Sequence, residues 1–343
     1  MKEISTIGLD LAKNVFQVHG VDKKGAVVEK KQVRREQMLA YFAKLPPCLI
    51  GVEACATAHY WGRELSKMGH AVKLIPPIYV KPYVRRGKND AVDAAAICEA
   101  VSRPHMRFAE IKTENQQAAL MLHKTRDLLV RQRTQTSNAL RAHLAEFGFV
   151  FAAGEEGLRK ALDFVNKPDA AGLLPLAQKA LQILAMHHVG IRKDIAALEK
   201  EIIAWHKASE VSRRLATIPG LGPLSASAIA ATVGDASQFK SGRELAAWVG
   251  LTPKQNSSGG KERFGGISRQ GNAYLRRMLV LGATGQMRGD RSHKAPGGTW
   301  FSSLTGRKPP KVAIVALANK MARVAWAVIL KQRDYQPNYV PVA

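Results

Sequence analysis

The order of apolar runs in the first hundred residues constrains this chain more than any other feature. Three short strand-like runs stand close together, over residues 4–9, 15–21 and 26–33. The second alternates around Phe16, Val18 and Val21, and the third follows a Lys-Lys-Gly turn at 23–25. Helix and strand then alternate. A helix over 36–44 stops at Pro46-Pro47, and a strand follows over 49–52. A helix over 57–68 closes at Gly69, followed by a strand over 71–75 and a helix from Asn89-Asp90 to about Val101. The run 49–52 is apolar throughout, as in a strand buried on both faces. An antiparallel meander of three strands, with later strands added in parallel through helices, is the ordering of an RNase H-like α/β domain.

The rest of the chain reads as mainly helical. Residues 114–147 form a polar-rich helix carrying Arg126, Arg131, Arg133 and Arg141. Residues 177–207 form a second long helix. On it Leu181, Leu184, His188, Ile191, Ile195, Leu198, Ile202 and Trp205 recur at three- and four-residue steps, a coiled-coil-like seam. Such a seam either packs on its own domain or makes a dimerisation arm. Its place in a charge-neutral segment between basic ones favours the arm. Later helical stretches at 245–249 and 273–287 flank a Gly- and Ser-rich loop over 253–271. The expected domains are 1–150, α/β; 151–210, helical coiled-coil segment; 211–333, mainly α; and a poorly ordered tail, 334–343.

Charge narrows the class of partner. The net charge is +25 over 343 residues. It is uneven: residues 211–343 hold 20 Lys and Arg against 5 Asp and Glu, whereas 151–210 hold 8 against 8. An enzyme of small metabolites gains little from such an excess. A protein lying along a polyanion gains affinity through counterion release. Cys48, Cys55 and Cys98 form no Cys-x-x-Cys pair and suit small buried hydrophobes in a reducing compartment. The first residues lack the apolar core of a secretory signal. The apolar stretch 312–330 is broken by Lys320 and Arg323 and reads as a buried or amphipathic helix, not a membrane span. A cytoplasmic, nucleoid-associated protein is expected.

Four acids stand out by position. Asp10 ends the first apolar strand in Ile7-Gly-Leu-Asp10, and Glu53 ends the fourth in Ile50-Gly-Val-Glu53. Strands one and four can be neighbours in such a sheet, which brings the two together. Asp90 and Asp93 are three apart on an expected helix, hence on one face. Taken singly, each has a plain alternative as a cap, a surface acid or an ion-pair partner. Jointly they form a cluster that repels itself unless divalent cations neutralise it. Oxygen ligands of this kind suit Mg²⁺ or Mn²⁺. Lys13 and the run Arg85, Arg86, Lys88 would meet phosphate beside them.

The loop that closes with Ser257-Ser258-Gly259-Gly260-Lys261 and continues through Arg263, Ser268 and Arg269 to Gly271 combines backbone freedom with cations; Arg276 and Arg277 follow. It either grips DNA backbone or presents a serine that attacks a phosphodiester. Spacing alone leaves Ser257, Ser258 and Ser268 all open. Ile218-Pro-Gly-Leu-Gly-Pro223 resembles the hairpin of helix-hairpin-helix modules, whose amides hold DNA phosphate without reading sequence.

Several of these motifs occur together and in order: Gly8-Leu-Asp10-x-Ala-Lys13, Val52-Glu53-Ala54, Lys88-Asn89-Asp90-Ala-x-Asp93-Ala, the Pro-Gly-x-Gly turn, and Leu251-Thr-Pro-Lys-x-x-Ser-Ser258-Gly-Gly-Lys through Gly-Asn272. Across nearly the whole chain they resemble the DEDD transposases of insertion sequences, the one-ten family and its eleven-eleven subgroup. The resemblance implies a RuvC-like N-terminal domain, a coiled-coil segment and a C-terminal transposase domain. It implies that Asp10, Glu53, Asp90 and Asp93 bind metal and that Ser258, directly before glycine, is the nucleophile. It also implies donor and target DNA, a structured bridge RNA that pairs with both, and dimers assembling to a tetramer. The competing readings are a metal-only RuvC-like nuclease, which needs no serine, and a non-catalytic architectural DNA-binding protein. The acids lie within the first 93 residues and the serine past residue 250, so a site shared between subunits is the expectation.

Overall fold

A computed structural model of the protein describes residues 3–84, 90–167, 172–288 and 299–337. Its contacts divide into two compact units, Met1–Glu114 and Asn115–Ala343. The first contains β1 (Thr6–Asp10), β2 (Val15–Val21), β3 (Val27–Arg34), α1 (Met38–Phe42), β4 (Leu49–Glu53), α2 (Ala58–Lys67), β5 (Ala71–Ile75), α3 (Pro77–Val80) and α4 (Asp90–Val101). Its strands form one sheet in the order β3-β2-β1-β4-β5. β1, β2 and β3 make the expected antiparallel meander, while β4 runs parallel to β1 and β5 parallel to β4. The helix expected over 36–44 is shorter than its apolar pattern, because a 3-10 turn at Arg35–Gln37 takes its first residues.

Strand alternation sorts the residues of β1 and β4. Ile7, Leu9, Ile50 and Val52 share one core with Phe16, Phe42, Trp61 and Leu65. The Phe16 and Trp61 rings meet edge-on at 5.3 Å. The opposite face carries Gly8 and Gly51 and then, two residues on, Asp10 and Glu53. α4 lies against this face, and glycine is what lets it lie so close. A Cβ on Gly8 would stand 2.1 Å from the Ala94 carbonyl oxygen and 2.4 Å from the Cys98 nitrogen. One on Gly51 would stand 2.7 Å from Val101 Cβ. Ala94, Ile97, Cys98 and Val101 are buried at the i, i+3, i+4, i+7 spacing of one helix face. Continued back one turn, that face bears Asp90 and Asp93.

Gly8→Ala is therefore expected to push α4 off the sheet and to destabilise the fold by about 3 kcal/mol or more, the upper range for overpacking, because the obstacle is backbone. Gly190, within a helix of the second unit and with nothing within 4 Å of a Cβ, is the matched control. Gly190→Ala should stabilise by about 0.5–1 kcal/mol. Denaturant unfolding of the two variants checks both signs.

The second unit holds α5 (Glu114–Glu146, which starts at the unit boundary), α6 (Glu155–Val165), α7 (Pro175–Ala208), α8 (Glu210–Ala216), α9 (Pro223–Val233), α10 (Gly242–Trp248), β6 (Pro253–Gln255), β7 (Phe264–Ile267), α11 (Ala273–Arg288), α12 (Thr299–Thr305) and α13 (Pro310–Lys331). α5 and α7 run antiparallel. As α5 advances, its partners on α7 recede: Asn115 with Trp205, Arg126 with Glu199 and Ser137 with His188. Leu140 and Leu144 share a core with Leu181, Ala185 and the α6 residues Ala161 and Val165. This corrects the reading of the α7 seam as a dimerisation arm. Its buried residues, Leu181, His188, Ile191, Ile195 and Ile202, are covered from within the chain. A stripe in the sequence shows that a helix needs a cover, not whose cover it is.

α13 is long and apolar enough by composition to cross a membrane. Here it is a core helix: Leu317, Met321, Ala325 and Val328 are buried in the main cluster of this unit with Leu245, Leu279 and Phe301. The tail expected to be loose from 334 is tied at Tyr335, whose amide donates to Thr217 Oγ1 at 2.9 Å. Residues 338–343 lie outside the described residues.

Candidate active site

Asp10 sits at the end of β1 and Glu53 at the end of its parallel neighbour β4, one step past the registered pair Leu9 and Val52. Asp90 and Asp93 occupy the first turn of α4. One carboxylate oxygen from each of Asp10, Asp90 and Asp93 lies within 4.8 Å of the others. Glu53 joins the cluster electrostatically. Burial raises the pKa of Asp10 from 3.8 to about 6, and the charges of Asp93, Asp90 and Glu53 add to the rise. Burial, then Asp93, holds Glu53 above its ordinary value. Among the described residues none of the four acids makes an ion pair. A group of carboxylates, half-buried at Asp10, that makes no ion pair among the described residues fits a hard divalent ion. Directly after the Glu53 strand, Thr57 holds a φ of 71°, a conformation β-branched residues rarely adopt, and it fixes the turn into α2.

The raised value of Asp10 has a consequence for pH. The folded chain binds a proton there more tightly than the unfolded chain does, so without metal its stability falls as pH rises from about 4 to about 6 and stays reduced above. A divalent ion must displace that proton. The thermal stabilisation given by Mg²⁺ or Mn²⁺ should be full near pH 7.5 and fade below about pH 6, well above the usual carboxylate range. Melting curves across pH, with and without metal, check this; a metal effect constant down to pH 4.5 would contradict it.

The Ser- and Gly-rich segment is an ordered hairpin in the second unit. β6 and β7 pair antiparallel, and a further bridge joins Ser258 to Lys261. The Lys261 amide donates to the Ser258 carbonyl at 3.1 Å. Between them Gly259 and Gly260 have φ of 57° and 73°, the two left-handed residues that a type I′ turn requires. A Gly-Gly pair between short extended runs is a hairpin signal that a reading of the segment as a loop passes over. The base is stiff. A Cβ on Gly250 would stand 2.2 Å from the Gln270 carbonyl oxygen, and one on Gly271 only 1.8 Å from that of Trp248. Asn272 caps α11, its Oδ1 accepting from the amides of Tyr274 and Leu275 at 3.0 and 3.1 Å.

The three serines left open by spacing differ here. Ser257 Oγ accepts from the Arg263 amide at 3.2 Å, and Ser268 Oγ from the Gln270 amide at 3.5 Å. Ser258, exposed beside the turn, has a hydroxyl with no hydrogen-bond partner among the described residues. The expected nucleic-acid contacts also divide. Lys13, Lys261, Arg263 and Arg269 are exposed. Arg276 instead ties the hairpin base together, its Nη1 donating to the carbonyls of Val249 and Gln270 at 2.8 and 2.9 Å. Arg277 pairs with Asp127 and stacks over the Tyr274 ring. Arg85, Arg86 and Lys88 lie outside the described residues. Cys48 and Cys98 are buried as expected, but Cys55 is exposed, because it falls past the end of β4 beside the acids.

Comparisons with known proteins bear on both units. A family profile described as "Transposase", of the DEDD type named for IS110, matches residues 7–149. A second, described as "Transposase IS116/IS110/IS902 family", matches residues 212–296. A Pseudomonas aeruginosa protein named "Probable family 20 transposase" is 45% identical over 97% of this chain and 99% of its own length. The transposase for insertion sequence element IS1111A of Coxiella burnetii is 40% identical over 98% of this chain and 92% of its own. That for element IS1328 of Yersinia enterocolitica is 39% identical over 96% and 97%.

Proposed function

Because the chain belongs to the IS110 family of transposases, enzymes that cut and rejoin DNA, we propose that it is a serine-and-metal recombinase whose nucleophile is Ser258. The observation that carries this reading is the division among the three serines, in which Ser258 alone keeps an uncommitted hydroxyl, at a hairpin turn flanked by Lys261 and Arg263. Asp10, Glu53, Asp90 and Asp93 would hold Mg²⁺, with Mn²⁺ as substitute. When bound, such an ion supplies positive charge for a DNA phosphate that the acids alone would repel.

The step balances within the chain and its substrate. Ser258 Oγ attacks phosphorus, the P–Oγ bond forms and the P–O3′ bond breaks. The proton that leaves the serine ends on the departing 3′ hydroxyl. The phosphoserine ester conserves the phosphodiester, so the reverse attack by a 3′ hydroxyl on a partner strand rejoins DNA without ATP. Lys261 and Arg263 offset the charge that gathers on the phosphate.

The same reading takes 1–150 as the RuvC-like domain, 151–210 as the coiled-coil segment and 211–333 as the transposase domain. The profile matches over 7–149 and 212–296 support the outer two. The partners are donor and target DNA and a structured bridge RNA, with dimers forming a tetramer. The basic excess across 211–343 supports a polyanionic partner there. With the α7 seam covered internally, assembly would use Leu176, Ile183 and Met186, which stay exposed at heptad spacing.

The test is to incubate the full chain with element-end DNA, RNA transcribed from the flanking sequence and Mg²⁺, and then to denature. DNA covalently linked to protein is expected, and a chelator should abolish it. DNA cut without any linked protein would favour the metal-only nuclease, and recombination indifferent to the RNA would remove the guide.

A further inference from the structure

The hairpin that carries Ser258 has no core of its own. Every residue from 253 to 266 is exposed, and burial resumes in part at Ile267, which packs against the main cluster of the second unit. Within that stretch every residue is polar, proline or glycine except Phe264, whose ring stands 60% exposed. The ring makes no ring–ring or cation contact among the described residues. β7 also holds one residue more than β6 between their paired positions, Pro253 with Ile267 and Gln255 with Phe264, so the strand bulges at Gly265 and Gly266. Bulges bend a strand, re-aim its side chains and collect beside active sites.

A single exposed hydrophobe on a broad protein surface needs no reason. Phe264 differs in place, charge and room. Its cross-strand partner is Gln255, three residues before Ser258. At 3.3 Å per strand residue, ring and serine are separated by about 10 Å along the hairpin. That is about three base steps of a nucleic-acid strand. Lys254, Lys261 and Arg263 are exposed on the same hairpin and outnumber Glu262, a setting that draws in a polyanion and not an apolar protein surface. Gly265 and Gly266 put no side chain next to the ring, and a Cβ on Gly266 would meet nothing within 4 Å, so a flat partner can reach it. An aromatic ring in a cationic strip is the combination that takes a nucleobase. The cations hold the backbone and the ring takes the face of the base.

We propose that Phe264 is a wedge that enters the DNA stack within about three base steps of the phosphate attacked by Ser258 and holds that step open. Cut ends must leave the duplex in which they began before they can join another. A step already unstacked by an apolar side chain releases its end at lower cost. Every base has a π face and the ring carries no hydrogen-bonding group, so the wedge is indifferent to sequence. The inference rests on the serine reading for which phosphate is cut. The opening of the step does not depend on that reading, since it can be followed in EDTA, where no cleavage occurs.

The experiment places 2-aminopurine, in turn, at the positions on either side of the cleavage point in element-end DNA. Its fluorescence is followed as the full-length chain and the flanking-sequence RNA bind in EDTA. At one of these positions wild type is expected to raise the signal, because the probe loses a stacked base. Phe264→Ala should give no rise, and Phe264→Tyr, which keeps the ring, should retain it. With Mg²⁺, Phe264→Ala should form the Ser258 adduct about ten- to a hundredfold more slowly, the range that stacking of one base spans. A mismatch built into the DNA at the opened step should restore most of that rate. Both variants should melt with wild type, because the ring is exposed. Equal fluorescence from wild type and Phe264→Ala would overturn the wedge. Slow adduct formation that the mismatch does not rescue would overturn it too, marking the ring as a contact with another protein surface. A rise seen only with the probe in the RNA would overturn the assignment to DNA. A rise that needs Phe264, in a wild-type chain that never forms an adduct, would remove the serine reading and leave the wedge standing.

Discussion

Ser258→Ala is expected to yield a folded protein that binds its DNA with unchanged affinity but leaves no protein–DNA adduct, with strand cleavage reduced by about 10⁶-fold or to the limit of detection, the scale on which loss of a nucleophile acts. The structure separates chemistry from stability at this position. The Ser258 side chain is exposed at the hairpin turn and makes no hydrogen bond among the described residues, so its loss should change stability by no more than about 0.5 kcal/mol. Its neighbour gives the contrast. Ser257→Ala removes the acceptor of the Arg263 amide, a loss of about 1 kcal/mol in hairpin order, and should slow cleavage several-fold without removing the adduct. Adducts trapped equally by wild type and Ser258→Ala would end the assignment. Adducts lost only in Ser257→Ala would move it by one residue.

What the sequence discloses, and what it withholds, follows from the range of the interactions involved. Strand alternation and helical spacing are local, so β5 falls on the expected residues 71–75 and α4 begins at Asp90. The meeting of Asp10 and Glu53 is nearly local as well. Two parallel strands that each end in an acid need only to be neighbours. The closeness of Asp90 and Asp93 to Asp10 is not local: it depends on Gly8 and Gly51 letting a helix forty residues and more further on lie against the strands, and a glycine in a strand does not name what approaches it. The α7 seam misleads for the same reason, since its periodicity is right and its cover, α5 and α6 among it, comes from the same chain. Arg276 shows the limit for charge. On a basic segment it counts as a phosphate ligand, and only the fold reveals that two carbonyls hold it.

Asp10→Asn is expected to do two opposite things. It should abolish metal-dependent cleavage, a fall of about 10³-fold or more if the bound ion supplies several kcal/mol to the reaction. It should also raise the melting temperature of the metal-free chain above that of wild type near pH 7.5. The second effect follows from the cluster. At that pH Asp10 is ionised against its burial and against Asp93, Asp90 and Glu53, and the neutral amide relieves each of these penalties while keeping the shape. Because the aspartate takes up its proton below about pH 6, the gain should shrink as the pH falls through that value. Asp90→Asn, at the exposed corner of the same cluster, should lose activity with a smaller gain in stability. The pairing of lost activity with gained stability is the signature of carboxylates kept for a cation. Acids kept for packing or capping would give the reverse, a destabilised protein whose response to Mg²⁺ is intact, and that result would return the cluster to an architectural role.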